Sequence, residues 1–186
     1  MGSILTDKAA VFIDNGYFSK VLIRDFNGPK IDYRKFSDAL CERCERFRTY
    51  VYDCSPYQSP IPTESERRRK QDADRFHYSL NRLPRFEVRL GRLQRIPSPP
   101  YYEQKGVDVL LSIDLVRLSW ANKIQKAIMV TADSDFDPAV RSAKEADVIV
   151  EVDFSQTQHM SDELYQICDE RIPITKDMIG SSILSD

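Results

Sequence analysis

Two short apolar runs, each ending in an aspartate and a turn, constrain this chain more than any other feature. Ile128-Met129-Val130 leads into Thr131-Ala132-Asp133-Ser134-Asp135-Phe136-Asp137-Pro138, and Ala9-Ala10-Val11-Phe12-Ile13 leads into Asp14-Asn15-Gly16. An apolar, β-branched run without polar alternation is the pattern of a strand buried on both faces. Asp137-Pro138 reads as a helix N-cap followed by proline at N1, and Tyr17 to Leu22 also continues as helix. Both units are therefore strand, turn, helix. Open α/β sheets bind ligands at the carboxyl ends of their strands, where two parallel neighbours would bring Asp14 and Asp133 to one edge. Carboxylates held that close repel one another unless a cation neutralises them. Hard oxygen donors without cysteine or histidine favour Mg²⁺ or Mn²⁺ over zinc. On the residues alone, polar turns that merely cap helices remain the competing explanation.

The rest of the chain alternates in the same way. Asp32 to about Arg46 has helical spacing, with Phe36, Ala39, Leu40 and Phe47 along one side and Cys41 and Cys44 as a C-x-x-C within it. Thr49 to Cys54 alternates as a second strand. Thr63-Glu64-Ser65-Glu66 is a capping box that opens a helix ended by Pro84. Phe86 to Leu93 reads as a half-exposed strand near a sheet edge. Ser98-Pro99-Pro100-Tyr101-Tyr102 is a loop leading to Lys105-Gly106-Val107-Asp108, and Val109 to Trp120 follows as an apolar helix. Ala139 to Ala146 is helix, Val148 to Val152 strand, and Leu164 to Cys168 a short helix. The pattern predicts a single α/β domain over residues 1–186 with a mainly parallel sheet, a core of about 9–169 and a trailing segment from 170 to 186. On the apolar helix, Asp108 and Asp114 lie about 240° apart, so a straight helix does not aim both at one ion. Asp114 among apolar neighbours requires a partner if buried.

A formal net charge of -2 argues against a generally basic nucleic-acid binder. Between Arg67 and Arg95, however, ten basic residues face three acids. Arg67, Arg68, Arg69, Lys70 and Arg75 form the dense part of that segment. It is either a solvated face or a surface that contacts phosphates, with Tyr57, Phe76, Tyr78, Tyr101 and Tyr102 available to stack on unpaired bases. Four cysteines without a second ligand pair make no zinc site or disulfide framework, which points to a reducing cytoplasm. The two histidines, His77 and His159, have no evident catalytic neighbour in the sequence, so Ser-His and Cys-His chemistry is unsupported. No run reaches the roughly 18 apolar residues of a membrane span. Met1 to Thr6 fits the loose N-myristoylation pattern without the polybasic support that would make it an anchor.

Val11-Phe12-Ile13-Asp14-Asn15-Gly16-Tyr17-Phe18, Lys105-Gly106-Val107-Asp108 through Asp114, and Thr131-Ala132-Asp133-Ser134-Asp135-Phe136 together resemble the NYN domain. That family includes LabA-like bacterial proteins and belongs to the PIN-like nuclease superfamily. The resemblance runs from Val11 to Asp169. It implies a three-layer α/β/α fold and metal-dependent hydrolysis of RNA phosphodiesters, making the chain a ribonuclease, an endoribonuclease in expectation. The alternatives are a non-catalytic or weakly active RNA-binding regulator, or a phosphatase using the same ion. By resemblance, Asp14, Asp108, Asp133 and Asp135 are the catalytic and metal-holding acids for Mg²⁺ or Mn²⁺. Asn15, Lys105, Asp114, Thr131 and Ser134 would be supporting or substrate-contacting residues. Alanine at 132 replaces the usual glycine of the last motif. The expected partner is single-stranded RNA; no membrane is implied, and a homo-oligomer is compatible with the sequence.

Overall fold

In a computed structural model describing residues 6–98 and 101–184, seven strands form one sheet. They are β1 (Lys8–Asp14), β2 (Glu45–Ser55), β3 (Phe86–Arg95), β4 (Tyr102–Lys105), β5 (Lys126–Val130), β6 (Ile149–Phe154) and β7 (Glu170–Pro173). Their spatial order is β4-β3-β2-β1-β5-β6-β7. All neighbours are parallel except β3 and β4. The acylation pattern at Met1–Leu5, the dipeptide Pro99-Pro100 and the final two residues lie outside the described residues.

The chain builds outward from β1 to β3 on one side, then crosses back over β1 to lay down β5, β6 and β7 on the other. The reversal between β1 and β5 is the kind of switch point where an open sheet leaves a crevice at its carboxyl edge. Ala9 to Ile13 are fully buried because both faces of β1 are covered, which is why the run carries no polar alternation. Side chains alternate between two cores. Phe12, Tyr50, Tyr52 and Met129 pack beneath α4 (Val107–Trp120), α5 (Asp137–Glu145) and α6 (Asp162–Ile167). Val11, Ile13, Val51, Ile128 and Val130 pack beneath α1 (Asn15–Phe26), α2 (Tyr33–Leu40), α3 (Glu64–Asn81) and α7 (Lys176–Ser181). This is the expected three-layer α/β architecture.

Several boundaries differ from the sequence reading. α2 ends at Leu40, and Cys41 to Cys44 form a turn rather than a helical face. β2 starts at Glu45 because its first residues pair with Lys8 and Ala9 of β1; Phe47 belongs to that strand. α5 opens at Asp137 itself, after a one-turn 3₁₀ helix at Ser134–Phe136, so Asp137 is not the N-cap. The residues after Asp169 do not trail: β7 joins the sheet and α7 packs Ile179 into the second core. The capping box at Thr63 and Glu66 forms as predicted.

Candidate active site

Register brings the two motif aspartates together. Ile13 pairs with Val130, so Asp14 at the end of β1 lies beside the Thr131–Asp133 segment leaving β5. Asp14 accepts a hydrogen bond at Oδ1 from the Tyr17 amide at 3.1 Å, capping α1. Asp133 caps the 3₁₀ turn through the Asp135 amide at 3.0 Å. Both carboxylates nevertheless line one cleft of about 630 Å³, which Asp108 also lines. Asp108 gets there because Gly106 turns β4 into α4 at once, with a φ of 88° that favours glycine. Thr131 and Ser134 line the same cleft, and the Thr131 Oγ1, fully buried, has no protein partner. Asp135 is exposed on the 3₁₀ turn beside this wall.

The acids feel one another. Burial pushes the Asp14 carboxyl up to about 6, with the Asp108 charge adding to the effect. Burial also raises Asp108, reinforced by the charges of Asp133 and Asp135. That is the behaviour of carboxylates gathered at a partly desolvated edge.

Two cations that sequence reasoning passed over face this acidic wall. Lys20 and Arg24 of α1 line the cleft, with Gln158 and His159 from the loop after β6. Tyr17, Lys20 and Arg24 are spaced i, i+3, i+7 from the strand end, so helical periodicity from Asp14 onward is the signal that could have found them. The loop is fastened to the elements that carry the acids. The Ser155 amide donates to the Tyr17 hydroxyl at 2.8 Å, and the Ser155 and Thr157 hydroxyls donate to Asp25 of α1. The Ser161 amide donates to the Ala132 carbonyl at 3.1 Å.

Other expected residues lie elsewhere. Asn15 turns to the opposite face, donating to Asp53 Oδ2 at 2.8 Å and accepting from the Tyr33 hydroxyl. His77 Nε2 lies 3.0 Å from the same Asp53 oxygen, a neighbour 24 residues away in sequence that no local motif announces. Lys105 pairs with Glu103 at 2.6 Å, outside the lining of the carboxylate cleft. Asp114 is buried and satisfied by Arg117 at 2.9 Å, Arg89 at 3.1 Å and the Tyr52 hydroxyl at 3.1 Å. It has the partners its burial demands. Arg67, Arg68, Arg69, Lys70 and Arg75 project from α3, on the sheet face opposite α4. Within that group Arg67 donates to the Pro62 carbonyl, Lys70 pairs with Asp74 and Arg75 lies 3.9 Å from Asp72.

The NYN domain family model matches residues 8–175, which takes in every strand of the sheet and all three motifs. The chain belongs to the NYN domain family. A crystal structure of a protein of unknown function from Vibrio parahaemolyticus has a TM-score of 0.67 at 20% identity, covering 99% of this chain and 100% of that one. At that identity the likeness supports the fold. A putative oxidoreductase from Parabacteroides merdae reaches a TM-score of 0.34 at 11% identity over 91% of this chain and 32% of its own, too low to carry an argument. No curated protein sequence matches the chain. Membership joins this NYN domain protein to a PIN-like nuclease family whose members generally use divalent metals. Among its described residues, no three acid, histidine or cysteine side chains converge closely enough to enclose an ion by themselves. None of its described helices is long and apolar enough to cross a membrane.

Proposed function

We propose that this NYN domain protein is a metal-dependent ribonuclease that hydrolyses phosphodiester bonds in single-stranded RNA. The observation that carries the reading is that Asp14, Asp108 and Asp133, from three separate elements, line one cleft that also presents Lys20 and Arg24. A structural cap needs one carboxylate; three acids facing two cations make a site for an anion bridged by a cation.

The donor set fits Mg²⁺ or Mn²⁺. All candidate ligands are hard oxygens, and the unpartnered Thr131 hydroxyl adds a polar group at the cleft floor. Mg²⁺ keeps several waters and is commonly held by one or two carboxylates plus substrate phosphate, so it needs no closed protein cage. Asp14, Asp108 and Asp133 would hold the ion, with Asp135 orienting water at the exposed rim. The ion supplies an activated water and relief of developing charge on the phosphoryl oxygens. The protein's own groups position the substrate. Lys20 and Arg24 attract the phosphate across from the acids, and the anchored Gln158–His159 loop closes that side of the cleft. Arg67, Arg68, Arg69, Lys70 and Arg75 would add sequence-independent contacts to the RNA backbone farther along the strand. The unpaired thiols suit a reducing cytoplasm, and the three quoted motifs suit the LabA-like branch.

Cleavage of a labelled oligoribonucleotide and of a mononucleotide, by wild type and Asp133→Asn, tests this. The reading expects wild type to cut the polymer in preference to the monomer, with cutting lost in a variant that retains its circular dichroism spectrum. Full activity of Asp133→Asn would remove Asp133 from the site. Faster turnover of the mononucleotide would make the protein a phosphatase instead.

A further inference from the structure

A second cleft, of about 570 Å³, opens over the outer strands β6 and β7, between the connection that follows α2 and helix α7. It shares no lining residue with the carboxylate cleft. Strand β6 builds its floor. Successive residues of a strand point to opposite faces, so Val150 and Val152 enter the first core while Glu151 and Asp153 face the other side of the sheet. Their partners on β5 are Ile128 and Val130, both in the second core. On the far side β7 sets Glu170 beside Glu151 and Ile172 beside Asp153.

Asp153 therefore stands between Val130 and Ile172, where an apolar side chain would pack. It is 1% exposed, it lines the cleft, and neither of its carboxylate oxygens has a hydrogen-bond partner. Lys126, the cation on this floor, is engaged by Glu151 at 2.6 Å and by Glu170 at 2.7 Å. A buried polar group without a partner is costly, and folded proteins keep few of them. An orphaned carboxyl at the wall of an open cleft is one that a ligand from solvent can satisfy.

We propose that this cleft binds a linear aliphatic diamine or polyamine, one ammonium group of which donates to Asp153 and Glu151. The charge of the lining sets the sign of the ligand. Exposed Asp7 and Glu42 stand at the rim above Glu151, Asp153 and Glu170, and only Arg43 and Lys126 oppose these five acids. Phosphates and other anions are repelled by such a wall. Leu40, Ile149, Ile172 and Met178 supply apolar surface for methylene groups between the floor acids and the rim acids. A metal ion fits poorly, because among the described residues no three acids converge closely enough to enclose one. An ammonium needs no such cage: it carries three donors on a tether and forms charge-assisted hydrogen bonds with whichever carboxylates it reaches.

Calorimetric titration of the full chain with putrescine, spermidine and butylamine tests this. Putrescine and spermidine should bind saturably, one per chain, with Kd of about 1 mM or tighter. Butylamine, with a single ammonium group, should bind at least about tenfold more weakly. Asp153→Asn removes the charge at nearly constant shape and should weaken putrescine binding at least about tenfold. Putrescine should raise the Tm of wild type and leave that of Asp153→Asn unchanged, which also shows that the variant folds. Asp133→Asn should bind putrescine as wild type does. No saturation by about 10 mM, equal affinity in Asp153→Asn, or equal affinity for butylamine would overturn the proposal. Loss of binding in Asp133→Asn would overturn it too, by placing the amine in the carboxylate cleft. None of these readouts depends on nuclease activity.

Discussion

Replacing Gly91 by alanine probes how the acidic cleft is built. Gly91 lies on β3 opposite Cys54 of β2. A Cβ at that position would meet the Lys105 carbonyl oxygen at 2.7 Å, a Val107 methyl at 2.8 Å and the Cys54 sulfur at 3.2 Å. Favourable contact begins near 3.5 Å, so the junction must give by about 0.7 Å or more. A backbone carbonyl cannot swing aside like the end of a long side chain. Lys105 and Val107 flank Gly106, the hinge between β4 and α4, and Asp108 is the next residue after Val107. The strain therefore falls on the segment that aims Asp108. Overpacking of this kind costs roughly 1–3 kcal/mol, equivalent to a Tm decrease of about 2–12 °C in a 186-residue chain. Displacing a catalytic group by about 1 Å costs on the order of a hundredfold in rate. Differential scanning fluorimetry and RNA cleavage at saturating Mn²⁺ read both effects. A Gly91→Ala protein with wild-type Tm and wild-type rate would refute the claim that this close approach positions Asp108.

Asp153 is buried with neither carboxylate oxygen reached by a donor, and burial together with the Glu151 charge raises its pKa well above the usual range. The folded state therefore holds a proton that the unfolded chain releases above about pH 4, so stability falls as pH rises through that window. Asp153→Asn should raise Tm, with a gain that grows from pH 4 to pH 7; a gain independent of pH would contradict this. Asp114→Ala leaves Arg89, Arg117 and the Tyr52 hydroxyl without their acceptor and should cost roughly 1–3 kcal/mol in urea denaturation, discounted because both arginines reach solvent. An unchanged midpoint would show that the cluster adds nothing. Neutralising Arg67, Arg68 and Arg69 together should weaken RNA binding and reduce the salt slope by up to about 2. If the slope does not change, α3 is a solvated face.

The sequence carried the strand-end acids because an uninterrupted apolar run has few alternatives to a buried strand, and the residue that ends it must sit at a sheet edge. It also carried Asp108, through its place at the start of the apolar helix and the Lys105-Gly106-Val107-Asp108 motif, although β4 itself read as part of a loop. Lys20 and Arg24 were hidden by ordinariness: cations on a helix face are usually solvated, and only the register of β1 against β5 shows what they face. Asp53 and His77 pair across 24 residues, which no spacing rule anticipates. Charged Glu45, Arg46 and Arg48 made the start of β2 read as a continued helix, yet this overhang pairs with β1. At four residues ending in proline, β7 is too short to show periodicity.

The most direct test of the central claim is cleavage of labelled single-stranded RNA by wild type and Asp14→Asn, each with Mn²⁺, Mg²⁺ or EDTA. The account predicts cutting by wild type that EDTA abolishes and that Asp14→Asn lacks while still binding RNA. Wild-type RNA binding without cleavage under any metal, or equal cleavage by Asp14→Asn, would contradict it.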